Sequence, residues 1–531
     1  MGQVADEAAG QRESPLAAPG SDDLATALAA AARHDPGRLF ATYDGAPISF
    51  GDLDLRSTRL AGGLWDLGIR TADRVLVMLR NGPEALATIF ALAKLGAVWV
   101  PVNVQQRGDS LRAIVDNCRP TAAIVEDDLI ETAQACGADR DGGRIIGRTA
   151  GASATLAALL ASPAQPLPIL ADRGEVFALM YTSGTTGVPK GVTVTHRMLW
   201  LAGEAALLVS EGRDDDVYFV WEPLYHIGGA QLLVLPLLRR IRLAMVPRFS
   251  ASRFWRQVHE AGATQIHYLG GILQILLAQP DNPLERTHRV RVAWGGGCPA
   301  EIFQRVRDRF GVEVCECYGM TEAASITTYA RGEAGVVGRP VPWFTVAVED
   351  AAGRQLPAGE RGEIVVGARV PGALFPGYHR RPDATAKALV SGRLRTGDLG
   401  SFDDRGMLRF HGRMTDSVRC RGENISAWEV EHVVGRHPLV EDCAIVGVEA
   451  EIGEQEIKLF VQPKQGADLD AKALDEWLSD ELPRYMRPRY IVFVDGFERT
   501  GSQRIMKHKL SRSRDDCWDR EDAAAMGRGP Q

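Results

Sequence analysis

The sequence predicts an α/β fold, with a large N-terminal domain built of α/β subdomains and a small α+β domain at the C-terminal end. Three observations predict it. Short β-branched runs alternate with longer amphipathic stretches along most of the chain. One early stretch reads as a complete βαβ unit. After Gly412 the alternation restarts in smaller pieces that amount to a compact domain of about 100 residues, a common domain size.

The early unit consists of a strand at Arg74 to Leu79 (RVLVML), a helix at Pro83 to Leu95 and a second strand at Ala97 to Val102. Pro83 falls in the first helical turn, where a missing N–H leaves no bond unmade. The apolar run Val176 to Met180 reads as a buried strand. The segment Gly353 to Gly377 is rich in glycine and proline but contains the strand-like run Glu363 to Val366, so it is expected to be turns between strands. In the C-terminal part, helices are expected at Trp428 to Gly435 and Ala471 to Leu482. Strands are expected at Cys443 to Val448, Ile457 to Val461 and Tyr490 to Val494. Residues 1–22 and 513–531 are dominated by Ala, Gly, Pro and charged residues and are expected to be disordered.

Bulk properties narrow the function. At 531 residues the chain exceeds what one hydrophobic core organises. A hydrophobic content of 45% and a charged content of 24% are ordinary for a soluble globular protein, and a net charge of -7 gives no electrostatic reason for a nucleic-acid or anionic-membrane partner. No apolar run reaches membrane-spanning length, and the Ala-rich stretch Ala25 to Ala32 lacks the flanks of a signal peptide, so a cytoplasmic location is expected. Eight cysteines are too few for a disulfide scaffold. Cys315 and Cys317 share one face of a strand, but no second ligand pair accompanies them, and buried packing is the reading preferred over a metal site.

The most informative segment is Tyr181 to Gly191 (YTSGTTGVPKG). Thr182, Ser183, Gly184, Thr185, Thr186 and Gly187 form a hydroxyl- and glycine-rich turn whose backbone N–H groups can converge on a phosphate, and Lys190 supplies charge behind it. It is not the GxxxxGK[ST] phosphate loop, because Val188 follows Gly187. Further motifs follow in order: Pro223 to Gly229 (PLYHIGG), Gly295 to Pro299 (GGGCP), Cys317 to Glu322 (CYGMTE), Gly338 to Pro340, Pro376 to Tyr378, Leu394 to Asp398 (LRTGD), Gly412 and Arg413, and Arg421 to Ser426 (RGENIS).

In these motifs and their order, from about residue 35 to 511, the chain resembles the adenylate-forming superfamily of acyl-CoA synthetases, luciferases and peptide-synthetase adenylation domains. The RGENIS segment followed by an EVE helix is most similar to bacterial carnitine/crotonobetaine-type CoA ligases. The resemblance implies an N-terminal adenylation domain at 23–412, a hinge at 413–416 and a mobile lid domain at 417–512. It also implies ATP and Mg2+, with CoA as co-substrate.

Residue roles follow from the resemblance together with residue type. A metal that holds a departing pyrophosphate needs a carboxylate, and Glu322 fills that place, with Thr182 or Thr185 lending oxygen. Tyr318 would lie against adenine, with Gly297 and Cys298 letting backbone approach its other face. Cys317, Gly319 and Thr321 complete that nucleotide motif. Asp398 would take the ribose hydroxyls, Arg413 would touch ribose and phosphate, and Gly422 would line the path of the CoA thiol arm. His226 is read as a positioning and gating residue beside the acid and the α-phosphate, not as a general base. His196 has weaker support, and a hydrogen bond at a helix start explains it equally well.

The chain departs from the family pattern in two places. Thr415 stands at the hinge position, where the family more usually has Asp or Lys. Arg504 occupies the position of the lysine that bridges the acid and the α-phosphate; its fork can replace that charge but not that geometry. Lys507 is the fallback cation. Trp221, Trp294 and Trp343 flank the motifs and suggest a short, aromatic-lined acid pocket, with core packing as the alternative. The first reading is a carboxylate–CoA ligase for a small or aromatic acid. The second is a diazotase, in which nitrite replaces the carboxylate and an aromatic amine attacks the anhydride. A non-catalytic adenylate-binding regulator would require a broken phosphate or metal motif, and both motifs are intact.

Overall fold

The computed structural model describes residues 23–150, 154–163, 174–182, 189–269, 271–414, 417–420, 423–449, 455–484, 486–499 and 505–521. The chain divides into two compact units. One holds the residues up to Thr182 together with Pro189–Phe249 and Gln257–Gln265; the other holds Ser250–Arg256 and the chain from Ile266 onward.

In the first unit, the βαβ unit read from sequence is present as strand Arg74–Met78, helix Pro83–Leu95 and strand Val98–Pro101, the two strands parallel and adjacent. The helix starts on Pro83 and ends at Gly96, whose positive φ of 64° closes the last turn without the strain a side chain would bring. From Ala85 to Leu95 every helical residue is buried, as expected for a helix buried within an α/β fold. These strands belong to a six-stranded sheet in which Arg144–Gly147, Ala122–Val125, Arg74–Met78, Val98–Pro101 and Val176–Thr182 run parallel. Lys190–Thr195 closes the edge antiparallel, with Lys190 directly opposite Thr182. The same unit carries strands Val217–Val220, Arg242–Met245, Leu39–Tyr43 and Ala46–Ser49, paired in that order.

The second unit contains, from Ile266 on, the strand Gln265–Leu269, followed in its sheet by Val292–Gly296, Glu313–Tyr318, Thr328–Arg331 and Arg339–Pro340. Its other sheet is formed by Phe344–Glu349, Gly362–Ala368, Leu389–Val390, Arg393–Phe402 and Leu408–Arg413. Turn segments flank the strand Gly362–Ala368, as the Gly/Pro-rich composition of 353–377 implies. In the C-terminal part, strands Val440–Glu449, Gln455–Pro463, Tyr490–Phe493 and Trp518–Asp519 form one sheet, with helices Ala427–Val434 and Ala471–Glu481. Val430, Val434, Ile445, Leu459, Leu474 and Leu478 share its core. Every predicted element there exists. The first two strands extend beyond their apolar runs at both ends because ladder hydrogen bonds continue through polar residues such as Asp442 and Gln462, whereas the third stops at Phe493, one residue short of its run. Among the described residues no helix is long and apolar enough to cross a membrane.

The expectation of a disordered tail from 513 needs correction for the part the structure describes. Residues 513–521 pack onto the C-terminal sheet: Ile491 pairs with Trp518, and Arg489 lies 3.1 Å from Asp519. Lys458, fully buried, donates to the Ser513 carbonyl at 2.6 Å and to Asp516 at 2.5 Å. Composition misleads here because a buried lysine needs hydrogen-bond partners, and among the described residues those of Lys458 come from the tail. Truncating the full-length protein after Arg512 is expected to destabilise the C-terminal part by on the order of 3 kcal/mol, since it strands a buried ammonium. Thermal or urea denaturation checks this, and an unchanged midpoint would show that the tail is not a structural element.

Candidate active site

The strand Glu313–Tyr318 organises the nucleotide-motif residues of the second unit. Period-two alternation puts Glu316 and Tyr318 on one face and Cys315 and Cys317 on the other. The Tyr318 hydroxyl donates to Asp398 Oδ2 at 2.8 Å. Burial, and then the Asp398 charge, pushes that hydroxyl well above its usual range, so it remains a donor. Asp398 is 2% exposed and sits opposite Arg413 in the antiparallel pair formed by Arg393–Phe402 and Leu408–Arg413. Arg413 Nε lies 3.3 Å from its Oδ1. The ladder shifts register between Asp398 and Gly400, and Gly412 adopts φ +97° beside Arg413, a bulge that only glycine accommodates cheaply and that re-aims the arginine. The turn before Asp398 is also fixed: Gly397 N–H donates to Glu363 at 2.9 Å, and Thr396 donates its hydroxyl to the Ile364 carbonyl at 2.7 Å.

Glu322 follows Tyr318 on a tight turn. A Cβ on Gly319 would come within 1.8 Å of the Ser325 carbonyl oxygen, so this position of the motif accepts only glycine. Glu322 Oε1 accepts from the Tyr378 hydroxyl at 2.8 Å, and the Glu322 carbonyl accepts from Phe375 N–H at 2.9 Å. Two motifs 56 residues apart thus meet on one carboxylate. Among the described residues there is no group of three or more His, Cys, Asp or Glu that could cage a metal. A single anchored carboxylate suits Mg2+, which keeps water and takes phosphate oxygens in preference to an all-protein cage.

Gly297 and Cys298 sit at the end of strand Val292–Gly296, ahead of helix Ala300–Phe310. Their N–H groups both donate to Glu316, at 2.6 and 3.0 Å, and Glu316 also accepts from the Tyr268 hydroxyl at 2.6 Å. Burial raises the Glu316 carboxyl to about 7, against the opposing pull of these three donors. Burial, ahead of nearby charge, raises both the Cys298 and Cys317 thiols, which disfavours the thiolate that a nucleophile or a metal ligand requires.

In the first unit, Thr182 and Lys190 are cross-strand partners, so the two ends of the predicted phosphate turn are held at one point. Ser183, Gly184, Thr185, Thr186 and Gly187 lie outside the described residues, as do Thr415, Gly422 and Arg504. His226 is half-buried at the start of the short helix Ile227–Ala230, its carbonyl accepting from Gly229 and Ala230 N–H at 3.0 and 2.9 Å. The Tyr225 ring lies 4.7 Å from its imidazole. Asn81 braces the approach to it: Nδ2 donates to the Glu222 carbonyl at 2.7 Å, and Oδ1 accepts from Leu224 N–H at 3.2 Å. A Cβ on Gly229 would meet the Pro223 carbonyl oxygen at 2.4 Å. His196 begins helix His196–Ser210, its N–H bonded to the Glu175 carbonyl at 3.1 Å and its ring 5.2 Å from Phe177.

Trp221 packs on Phe249 and Trp294 on His267, and both indoles are almost wholly enclosed. Lys507 is bound to Glu431 at 2.8 Å. That engages the fallback cation inside the C-terminal part.

The family model for AMP-binding enzymes matches residues 28–379, and that for the AMP-binding enzyme C-terminal domain matches residues 429–504. The chain belongs to the AMP-binding enzyme family. Among relatives of this AMP-binding enzyme, the crotonobetaine/carnitine–CoA ligase of Proteus mirabilis is 29% identical, the match covering 87% of this chain and 93% of that protein. The enzyme of the same name from Salmonella typhimurium is 30% identical with the same coverage. In structure, ATP-bound MatB from Rhodopseudomonas palustris superposes with a TM-score of 0.83 at 26% identity, over 92% of this chain and 97% of that one. A benzoate CoA ligase from Burkholderia xenovorans, 23% identical, shares the fold at a TM-score of 0.83 over 92% of this chain and 99% of that one.

Sequence reasoning missed Glu316, Tyr268 and Asn81 and gave Tyr378 no role. A glutamate in the otherwise apolar run VCECY, two residues before Tyr318, was the available signal for the first. Replacing Tyr378 by Phe removes the one side-chain donor to Glu322 among the described residues. The Mg2+ concentration for half-maximal ATP-dependent turnover is expected to rise by about tenfold, the worth of a hydrogen bond to a charged group. A Mg2+ titration of pyrophosphate release checks it; an unchanged half-point means Glu322 needs no such brace.

Proposed function

We propose that this enzyme activates a small or aromatic carboxylic acid with ATP and transfers the acyl group to CoA. The observation that carries the reading is the locked set Tyr318, Asp398 and Arg413: an aromatic ring, a buried carboxylate and a guanidinium fixed together, the pieces a base, a ribose and a phosphate require. The relatives named above are crotonobetaine/carnitine–CoA ligases, which supports CoA as the acceptor. Nothing in the geometry favours the nitrite reading.

In the first step a carboxylate oxygen attacks the α-phosphorus of ATP. The new O–P bond forms as the bond to the β-phosphate oxygen breaks, and pyrophosphate leaves. In the second step the CoA sulfur, as thiolate, attacks the acyl carbon and AMP departs. Tyr318 and the Gly297–Cys298 backbone flank adenine, with Cys317, Gly319 and Thr321 shaping that turn. Asp398 accepts from the ribose hydroxyls, and Arg413 offers its free donors to ribose and phosphate. Lys190 and the turn from Thr182 through Gly187, Thr185 included, grip the triphosphate. Glu322, with Thr182, would hold Mg2+, which supplies charge neutralisation on the phosphates. His226 closes the acid pocket, and Arg504 bridges the acid and the α-phosphate. Rotation of the lid at 417–512 about the hinge at 413–416 then brings Gly422 to the thiol path. ATP and CoA are cytoplasmic co-substrates, so the reading places the enzyme there.

Pyrophosphate release measured over a panel of carboxylic acids, with and without CoA, tests the function. CoA-thioester product is expected from a small or aromatic acid; release that depends on nitrite and an aromatic amine instead would overturn it. Asp398→Asn is expected to raise KM for ATP at least about tenfold, because it weakens a buried acceptor for two hydroxyls. Arg504→Ala is expected to slow adenylation by roughly a hundredfold while leaving transfer from supplied acyl-AMP within about threefold. Equal loss in both steps would refute its role.

A further inference from the structure

The carboxylate of Glu316 belongs to no motif that explains it. It is 8% exposed, and the polar contacts it makes are to donors without charge: Gly297 N–H at 2.6 Å on Oε1, and Cys298 N–H at 3.0 Å and Tyr268 O–H at 2.6 Å on Oε2. A buried carboxylate that makes no ion pair is costly unless something needs it there. What it holds is a loop with little rigidity of its own. Gly295, Gly296 and Gly297 are consecutive, and Gly295 and Gly297 adopt φ of +154° and +104°. The loop is also closely packed: a Cβ on Gly295 would fall 1.8 Å from the Tyr268 carbonyl oxygen, and one on Gly296 would fall 2.9 Å from that of Cys317. Side chains therefore cannot fix this loop, and the two convergent N–H groups are its anchor.

We propose that Glu316 is a positioning residue for nucleotide binding, setting the Gly297–Cys298 backbone from the same strand face that presents Tyr318. This rests on the nucleotide role given above to Gly297, Cys298 and Tyr318. The anionic form accepts all three donors. Once protonated, one oxygen must itself donate, so at least one of the three contacts is lost or, as the Tyr268 hydroxyl turns to the Cys315 carbonyl 3.1 Å away, reverses direction, and the charge that draws the Gly297 and Cys298 N–H groups is gone. The groups that face Glu316 are the Tyr268 hydroxyl from strand Gln265–Leu269, two strands away in the same sheet, and the Cys298 thiol from the loop, with Glu301 beyond it; the Cys317 thiol is next in sequence but on the opposite strand face. None of them is cationic. The carboxyl, raised to about 7, therefore changes charge in the neutral range, and nucleotide binding should strengthen as pH rises through it.

The test uses the full-length protein and its Glu316→Gln and Tyr268→Phe variants, with thermal melts confirming that each folds. KM for ATP in pyrophosphate release and Kd for ATP by calorimetry are measured from about pH 6 to 8.5. Above the transition, Glu316→Gln is expected to raise both constants about tenfold, with kcat changed less than about threefold. The ATP phosphates ionise in the same range, so the quantity read is the wild-type profile relative to that of Glu316→Gln. That difference should be large at high pH and vanish at low pH. Tyr268→Phe removes a donor to the anion and should move the transition to higher pH. Wild-type affinity in Glu316→Gln, a pH-independent difference, or a loss confined to kcat overturns the proposal. A wild type that binds ATP without releasing pyrophosphate for any acid would instead refute the ligase reading, while the binding data still decide the role of Glu316.

Discussion

Asp398 is the constraint on which the nucleotide-motif residues of the second unit depend. A carboxylate at 2% exposure has to be compensated, and here Tyr318 and Arg413 compensate it from two different strands. Its burial therefore ties the strand Glu313–Tyr318 to the sheet containing Arg393–Phe402, two elements that share no backbone ladder. The phenol must stay protonated to serve, and burial beside the carboxylate ensures that it does. The bulge at Gly412 belongs to the same arrangement, because a regular ladder would turn Arg413 away from its partner.

Three glutamates in this unit show how environment assigns work to one residue type. Glu316 is deeply buried among neutral donors and is pushed toward the protonated form. Glu322 is only half-buried, and one of its oxygens is tied to Tyr378, so it can present charge outward to a cation. Glu363 takes Gly397 N–H and Arg395 and holds the turn that carries Asp398. Two of the three act on backbone N–H groups beside glycines. Where close approach rules out side chains, a carboxylate reaching in from a rigid strand is an effective way to fix a loop.

The sequence made the elements legible wherever periodicity was strong. The helix read at Pro83 to Leu95 has both its ends reproduced in the structure, and the apolar runs around Ile445 and Leu459 locate two paired strands. The runs failed at strand ends, where polar residues extend the ladder, and in the tail, where composition gives no sign that Lys458 needs Asp516. For the site, the sequence could propose motif residues, but the braces between motifs were not visible. Tyr378 and Glu322 are 56 positions apart, and Asn81 and Leu224 are 143 apart.

By itself, the sequence determined the fold class, the membership of an ATP-using family and the residue types available for phosphate, ribose and metal, because these follow from local pattern and from motifs whose chemistry is local. Tertiary structure alone decided which of those groups are buried, what each is bonded to and hence which charge state it keeps. Hydrogen-bond partners and desolvation depend on distances across the fold, and no spacing along the chain encodes them.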